Sequence, residues 1–487
     1  MTNIVELLHQ FAMDPNQGYA RWHDQMFDEA GKQAAAKEHL ERFFNARMDE
    51  VRLWQASQYG HEVLGLTDLE DFDHFRRGVL RREVSGEVSY PKQRDHSAHT
   101  LYNYLLGWYF YSKSDLVREE MHRAFGRRQF QQVDFDKVFA DVWAFTSLLH
   151  DIGYLFEGGL EALSSETQSN QIRIGGEVSQ EYFSHQFWTH LGLSAVDDRE
   201  ALRKQSGVEI PELERRTMTG LAYSLRSLGQ LEPLRKSICT FAKCAKSPIK
   251  SPIDQQEGLA SDAFELWKKN YEYFTDPNNP GNAQQMVKRI EHLETVFLAL
   301  MQEGIPGSGV RVLDHGVCSG LLLLLAATFY FRVAYGMDLD TRLSNPRQDK
   351  VRETIKANCD RFEYSASWWW QATIWASGAT AIHNVAQMKK TVKGVKTSFE
   401  KLSIEEDPLA YLGIMVDILQ EWDRFTVARL SPLIGDGPLQ GIDVTADPGT
   451  GGVLTLTYAS DKDLAGEVRG ALGRALKDWD KLVEIKP

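Results

Sequence analysis

An adjacent histidine and aspartate, His150 and Asp151, stand at the end of an apolar run, Phe145-Thr-Ser-Leu-Leu, and are followed by Gly153. The run predicts a helix whose buried end carries both side chains, where an unpaired carboxylate would be costly. A bound metal ion would remove that cost. Imidazole nitrogen and carboxylate oxygen suit zinc, iron, manganese or cobalt, and an aspartate can bridge two ions. In the alternative interpretation, His150 caps the helix and Asp151 lies in solvent.

Further histidines and an aspartate lie on other apolar segments. They are the pair His96 and His99, then His315, His383 and Asp417. Each has an ordinary structural alternative: a polar first helical turn, a satisfied core histidine, or an aspartate paired with an arginine. A buried aspartate needs a partner, and a metal ion is the strongest candidate for Asp417. Helices would hold such residues rigidly, as a metal site requires.

The elements that must position these residues are mainly helical. Apolar residues at helical spacing recur in residues 1–85, in the segments that carry His99 and His150, and after Asp407-Pro408, which predicts a capped helix start. Loop signals, among them the repeated Lys-Ser-Pro-Ile at 246–253, mark residues 158–310 as an insertion. The chain is therefore predicted to have an all-α core with a largely helical insertion.

The C-terminal end has a different pattern. Two alternating apolar runs flank Asp447-Pro-Gly-Thr-Gly-Gly and predict a hairpin, and residues 461–483 predict an amphipathic helix. We expect three parts: an N-terminal helical region at 1–88, a helical domain at 89–430 that contains the insertion, and a small α+β appendage at 431–487.

Composition limits the classes of function. A net charge of -13 over 487 residues argues against extended nucleic-acid binding, which needs many Lys and Arg residues against phosphates. The four cysteines form no CxxC pair, so neither a disulfide framework nor a zinc ribbon is indicated, and a reducing cytoplasm fits best. The leucine-rich run at 317–331 falls short of the roughly 20 apolar residues of a membrane span. We expect a helix buried in the core and no membrane association.

The motifs taken together resemble the HD superfamily of metal-dependent phosphohydrolases. The resemblance covers about residues 90–430, with the insertion between its parts. The segments that carry it are His99-Thr-Leu-Tyr-Asn-Tyr-Leu-Leu-Gly, Leu-Leu-His150-Asp151-Ile-Gly, Asp314-His315-Gly-Val, Ala-Ile-His383-Asn and the predicted helix that contains Asp417 and ends Leu-Gln-Glu-Trp-Asp-Arg424. His99 is preferred over His96 because the apolar helix follows it in the manner of the family.

The resemblance implies a helical HD core that binds one or two divalent ions, of Mn, Fe, Mg, Zn, Co or Ni. His99, His150, Asp151 and Asp417 would bind the first ion, and Asp151 would bridge to a second ion bound by His315 and His383. The implied reaction is hydrolysis of a phosphoester, in a nucleotide or cyclic nucleotide, by metal-activated hydroxide. Glu157, Asp314, Gln420 and Arg424 are candidates to orient the ligands or contact phosphate, or else act as salt-bridge or cap residues.

Two other functions remain open at this stage. The same ligands could hold a mixed-valent di-iron pair that activates dioxygen, as in the myo-inositol oxygenase branch of the superfamily. Alternatively, the core could sense a nucleotide while the insertion and the appendage contact a protein partner or another copy of the chain. Retention of all six predicted ligands, His99, His150, Asp151, His315, His383 and Asp417, counts against an inactive core.

Overall fold

The computed structural model describes most of the predicted site and leaves gaps elsewhere. The described residues are 2–17, 19, 30–47, 49–66, 96–128, 134–155, 252–303, 314–324, 366–384, 391–392, 394–396, 398–420, 422, 444–449, 452–458 and 462–487. The predicted domain boundaries at 88 and 430 and the ends of the insertion at 158 and 310 lie outside these residues.

Helices dominate the described chain, which confirms the prediction of a mainly α-helical fold. In chain order they are α1 (Ile4–Met13), α2 (Ala30–Asn45), α3 (Asp49–Leu66), α4 (His96–Lys113), α5 (Asp115–Arg127), α6 (Phe135–Leu148), α7 (Pro252–Tyr273), α8 (Pro280–Glu303), α9 (315–324), α10 (Ala366–Ile382), α11 (Pro408–Leu419) and α12 (Lys462–Ala475). None of the described helices is long and apolar enough to cross a membrane.

The chain divides into two compact units. Unit 1 comprises Met1–Ile152, Ile382–Lys389 and Ser398–Pro487, and unit 2 comprises Gly153–Ala381 and Lys390–Thr397. Five of the six residues predicted to bind metal belong to unit 1, and His315 belongs to unit 2.

Helix α4 is the central helix of unit 1. All of its residues from His96 to Tyr111 are buried, and α1, α3, α5, α6 and α11 pack against it. A helix buried on every side must satisfy its polar residues internally, and α4 carries several of these in its first two turns. Trp143 of α6 packs closely on α4, where its indole nitrogen donates to the Tyr104 carbonyl at 2.9 Å.

Helix α11 starts as the sequence predicts. The Asp407 carboxylate accepts hydrogen bonds from the backbone nitrogens of Leu409 and Ala410, each at 3.0 Å, and Pro408 occupies the first turn. Proline needs no hydrogen-bond partner there, and the carboxylate satisfies two amides that have no partner within the helix. The cap therefore fixes where α11 begins and, by the helix rise, where Asp417 lies.

Both ends of the chain meet in one small sheet in unit 1. Its strands are β1 (Thr2–Asn3), β4 (Val444–Pro448), β5 (Leu454–Tyr458) and β6 (Val483–Lys486), in the order β1-β4-β5-β6. Strands β4 and β5 form the predicted antiparallel hairpin, β5 pairs parallel to β6, and Thr2 pairs with Ala446. A further two-stranded pair in unit 2 consists of β2 (Thr391–Val392) and β3 (Val395–Lys396).

The predicted helix at 461–483 is wrong at its C-terminal end. Helix α12 ends at Ala475, because the Ala475 carbonyl accepts from the Leu402 amide at 2.8 Å and the Lys477 amide donates to the Leu402 carbonyl at 2.9 Å. Residues 483–486 then alternate between buried and exposed and form β6. Tertiary pairing thus overrides a helical pattern that the local sequence supports.

In unit 2, α7 and α8 pack against each other, and the Trp267 indole nitrogen donates to Ser377 Oγ of α10 at 2.9 Å. Helix α9 starts at His315, which is buried, and Asp314 caps it by accepting from the Val317 amide at 2.9 Å.

Gly153 donates its amide hydrogen to Ser319 Oγ at 2.7 Å, and a β-carbon at Gly153 would overlap the His315 carbonyl. The glycine of the Leu-Leu-His-Asp-Ile-Gly motif is therefore required for a close backbone approach.

Candidate metal centre

Five predicted ligand residues meet inside unit 1, and we call them the His/Asp cluster: His99, His150, Asp151, His383 and Asp417. His99 lies one turn into α4, His150 and Asp151 directly follow α6, His383 follows α10, and Asp417 lies near the end of α11. All are buried except Asp417, whose side chain is 12% exposed. Separate helices thus bring together side chains that are up to 318 positions apart in the chain.

Three of these residues, His99, His150 and Asp151, place ligand atoms close enough together to hold one ion, and Asp417 Oδ1 lies beside the two histidines. His99 Nε2 lies 2.8 Å from Asp417 Oδ1 and 3.8 Å from Asp151 Oδ2, and His150 Nε2 lies 3.6 Å and 3.2 Å from the same two oxygens. Atoms that bind one ion at about 2.1 Å are about 3.0 Å apart at octahedral angles and about 3.4 Å apart at tetrahedral angles. The observed separations lie on both sides of these values, so this donor set fits a divalent ion.

Hydrogen bonds orient both imidazoles toward this point. His150 Nδ1 donates to the Ser147 carbonyl at 2.7 Å, and His99 Nδ1 donates to Gln420 Oε1. With each Nδ1 engaged, each Nε2 is left to face the carboxylates, as in metal-binding histidines. His150 Nε2 is buried and has no well-directed hydrogen bond within the described residues, although the Asp151 carboxylate is near.

The contact between His99 Nε2 and Asp417 Oδ1 needs a proton or a metal ion between the two atoms. With its proton on Nδ1, His99 presents an Nε2 lone pair 2.8 Å from a carboxylate oxygen, so two electron-rich atoms face each other. A proton or a metal ion between them makes the contact favourable. Asn103, four residues further along α4, also places its Nδ2 3.0 Å from His99 Nε2. Asn103 was not predicted as a site residue, and the one signal that could have indicated it is its position one helical turn after His99.

The two oxygens of Asp151 face different histidines. Oδ2 faces His99 and His150, whereas Oδ1 lies 3.9 Å from His383 Nε2. The His383 ring also packs edge-on against His150, with 5.0 Å between ring centroids. Asp151 therefore has the orientation that a bridging carboxylate would need.

Charge coupling shifts the pKa values of the His150 and Asp151 pair strongly. Burial lowers the pKa of His150, but the carboxylates of Asp151 and Asp417 outweigh it and raise the pKa to about 10. Burial would raise the pKa of Asp151, but the adjacent His150, together with His96 and His99, holds it well below its usual value. The metal-free cluster therefore carries a protonated His150 against ionised carboxylates.

This coupling predicts how pH controls metal binding. Between pH 6 and 9 a metal ion at the cluster must displace one proton from His150, because the pKa of the metal-free residue is about 10. The apparent affinity is then expected to rise about tenfold per pH unit. Calorimetric titration with Mn²⁺ at several pH values, in buffers of different ionisation enthalpy, measures both the slope and the released proton. A pH-independent affinity without proton release would contradict the placement of His150 at the ion.

The buried glutamine that contacts His99 gives a second prediction. Gln420→Leu removes the acceptor of the His99 Nδ1 proton at similar side-chain volume, and is expected to weaken Mn²⁺ binding by about 10- to 100-fold. Gln420→Glu retains an oxygen acceptor and should keep most of the affinity.

The chain offers a matched control for that substitution. His39 Nδ1 lies 2.7 Å from Gln55 Oε1 in unit 1, which is the same type of pair away from the cluster. Gln55→Leu is expected to leave metal affinity unchanged. Equal losses in the Gln55 and Gln420 variants would mean that the loss reflects general destabilisation.

The remaining predicted site residues have different outcomes. His96 is buried on α4, but among the described residues the compact groups of candidate ligand atoms include His99 and not His96. Glu157 and Arg424 lie outside the described residues, so their predicted roles stay predictions. Asp314 acts as a helix cap, and Gln420 orients His99.

Comparisons with models of known protein families, with curated proteins and with solved structures give no match to this chain. The resemblance to the HD superfamily therefore depends on the motif residues alone.

Proposed function

We propose that the His/Asp cluster binds a divalent metal ion and that the protein is an HD-type metal-dependent phosphohydrolase. Its substrate would be a phosphoester of the nucleotide or cyclic-nucleotide type. The observation that supports this most directly is the convergence of His99 Nε2, His150 Nε2, Asp151 Oδ2 and Asp417 Oδ1 in a buried place. Buried carboxylates beside inward-facing imidazoles are costly unless a cation is shared among them.

The proposed roles follow the contacts of each residue. His99, His150, Asp151 and Asp417 would hold the first ion, with Gln420 and the Ser147 carbonyl fixing the two rings. His383 and Asp151 Oδ1 would serve a second ion. His315 lies in unit 2, and its assignment to that ion stays a prediction of the resemblance.

Electrostatics explains why an anionic substrate would require metal. The protein has a net charge of -13, and the metal-free cluster carries two carboxylates against one protonated histidine, so a phosphoester would be repelled from the metal-free site. A divalent ion supplies charge neutralisation at a phosphoryl oxygen and lowers the pKa of a bound water. The chain's own residues supply the fixed geometry and limit access of bulk water.

The test is phosphodiester hydrolysis by protein stripped of metal with a chelator and then reconstituted with Mn²⁺. We expect release of 4-nitrophenol from bis(4-nitrophenyl) phosphate that depends on Mn²⁺ and proceeds equally under anaerobic conditions. The monoester 4-nitrophenyl phosphate, assayed in parallel, shows whether one or both ester classes are cleaved. Active preparations would then be screened against nucleotides and cyclic nucleotides.

Two results would contradict the proposal. If the protein remains folded but binds no divalent ion, the proposed metal centre is wrong. Protein that binds iron and consumes dioxygen without cleaving any phosphoester would favour the di-iron oxygenase instead.

A further inference from the structure

The C-terminal module, defined as the described residues of 444–487, contacts the helix that carries Asp417. We propose that this module holds the C-terminal end of α11 in register with the His/Asp cluster, and that Tyr458 is the positioning residue. The inference depends on the proposed metal centre for its functional meaning. It assigns a role to a part of the chain whose sequence gave none.

Two tyrosine hydroxyls join α11 to the module. Tyr411, near the start of α11, donates to the Lys477 carbonyl at 2.8 Å. Tyr458, at the end of β5, donates to the Leu419 carbonyl at 3.3 Å, and Leu419 is the last residue of α11. The last four carbonyls of a helix receive no hydrogen bond from within the helix. The Tyr458 hydroxyl therefore supplies the Leu419 carbonyl with a donor that α11 itself lacks.

The Leu419 carbonyl is directly linked to the cluster. The next residue, Gln420, is fully buried, donates its amide to the Val416 carbonyl at 3.0 Å, and accepts the His99 Nδ1 proton. Asp417 lies two residues before Leu419 on the same turn. A shift of the Leu419 peptide would therefore move both the residue that orients His99 and a proposed ligand.

The packing of the module restricts the movement of Tyr458. Strand β5 is internal to the sheet, with β4 on one side and β6 on the other, and Tyr458 pairs with Val444. The Tyr458 side chain is fully buried. A hydroxyl on an internal strand with a buried ring has little freedom to follow a displaced helix end, so it fixes the position of that end.

The test compares Tyr458→Phe with Tyr411→Phe in the full-length chain. Both variants remove one hydroxyl between α11 and the module, but residue 411 lies about 13 Å along the helix axis from residue 420. Tyr458→Phe is expected to weaken Mn²⁺ binding by about 3- to 10-fold, less than Gln420→Leu because the effect passes through one more residue. Tyr411→Phe is expected to keep the wild-type affinity even if it lowers the unfolding midpoint.

A second measurement does not need metal. In chelator-treated protein with ¹⁵N-labelled histidine, the ¹⁵N chemical shift of His99 Nδ1 reports its hydrogen bond to Gln420. Tyr458→Phe should shift this resonance, and Tyr411→Phe should not. This spectrum tests the positioning role even if the wild-type protein binds no metal, in which case the proposed function alone would fail.

Wild-type metal affinity and an unchanged His99 spectrum in Tyr458→Phe would overturn the inference. Equal changes in both tyrosine variants would also overturn it, because they would show that the module only stabilises α11 as a whole.

Discussion

Replacing Asp151 by asparagine is expected to weaken Mn²⁺ binding by more than about 100-fold, beyond the loss typical of residues that only support a ligand. Asp151 faces His99, His150 and His383 together, so its loss affects its contacts with all three histidines. The substitution preserves side-chain shape and removes the charge. Metal-dependent phosphodiester hydrolysis should fall to background.

Elemental analysis and thermal unfolding measure this effect independently of catalysis. Mn²⁺ at 100 times its wild-type Kd should stabilise the wild-type protein by about 2.7 kcal/mol and Asp151→Asn by less than about 0.4 kcal/mol. Asp141→Asn is the matched control, because Asp141 is a similarly buried carboxylate on α6 outside the compact groups of candidate ligands in the described chain. If the Asp151→Asn variant keeps its bound metal, Asp151 is not a metal ligand.

The second large effect concerns packing of the helices that carry the ligands. Gly107 of α4 lies against the Trp143 indole of α6, and a β-carbon at this position would overlap the ring. Trp143 is fully buried and is tied to α4 through the Tyr104 carbonyl, so it cannot move aside. Gly107→Ala is expected to lower the free energy of unfolding by about 3 kcal/mol, at the upper end of typical overpacking costs.

Urea unfolding of the metal-free protein, followed by tryptophan fluorescence, measures this change. Gly126→Ala is the control, because Gly126 lies within α5 and a β-carbon there would meet no atom within 4 Å. That variant should be neutral or more stable by up to about 1 kcal/mol, since alanine loses less backbone entropy in a helix. Equal stability of the two variants would mean that α4 and α6 do not approach as closely as described.

These two predictions test different requirements of one site. Asp151 supplies charge and donor atoms, whereas Gly107 allows α4 and α6 to approach closely enough for His99 and His150 to share a neighbour. A ligand set alone would be insufficient, because imidazole and carboxylate atoms must lie within a few tenths of an ångström of suitable positions. The packing of small residues at helix contacts therefore belongs to the explanation of the proposed chemistry.

The sequence determined the type of element and the candidate residues. Helical spacing predicted most of the described helices, Asp407-Pro408 predicted the start of α11, and the runs around residue 447 predicted the hairpin. The polar residues on apolar segments indicated His96, His99, His150, Asp151, His315, His383 and Asp417. These signals are local: periodicity, caps and turn residues act over a few neighbouring positions, so a single sequence expresses them directly.

Only the tertiary structure decided which of these residues meet. Spacing could not separate His96 from His99, since both lie on one face of α4, but the distances place His99 Nε2 against Asp417. Asn103, the Gln420 contact and the Tyr458 contact likewise depend on which helices are neighbours. The two-residue strand at Thr2–Asn3 and the strand at Val483–Lys486 form only because distant segments pair with them. Contacts between residues hundreds of positions apart arise from packing of the whole unit, so local sequence patterns cannot predict them.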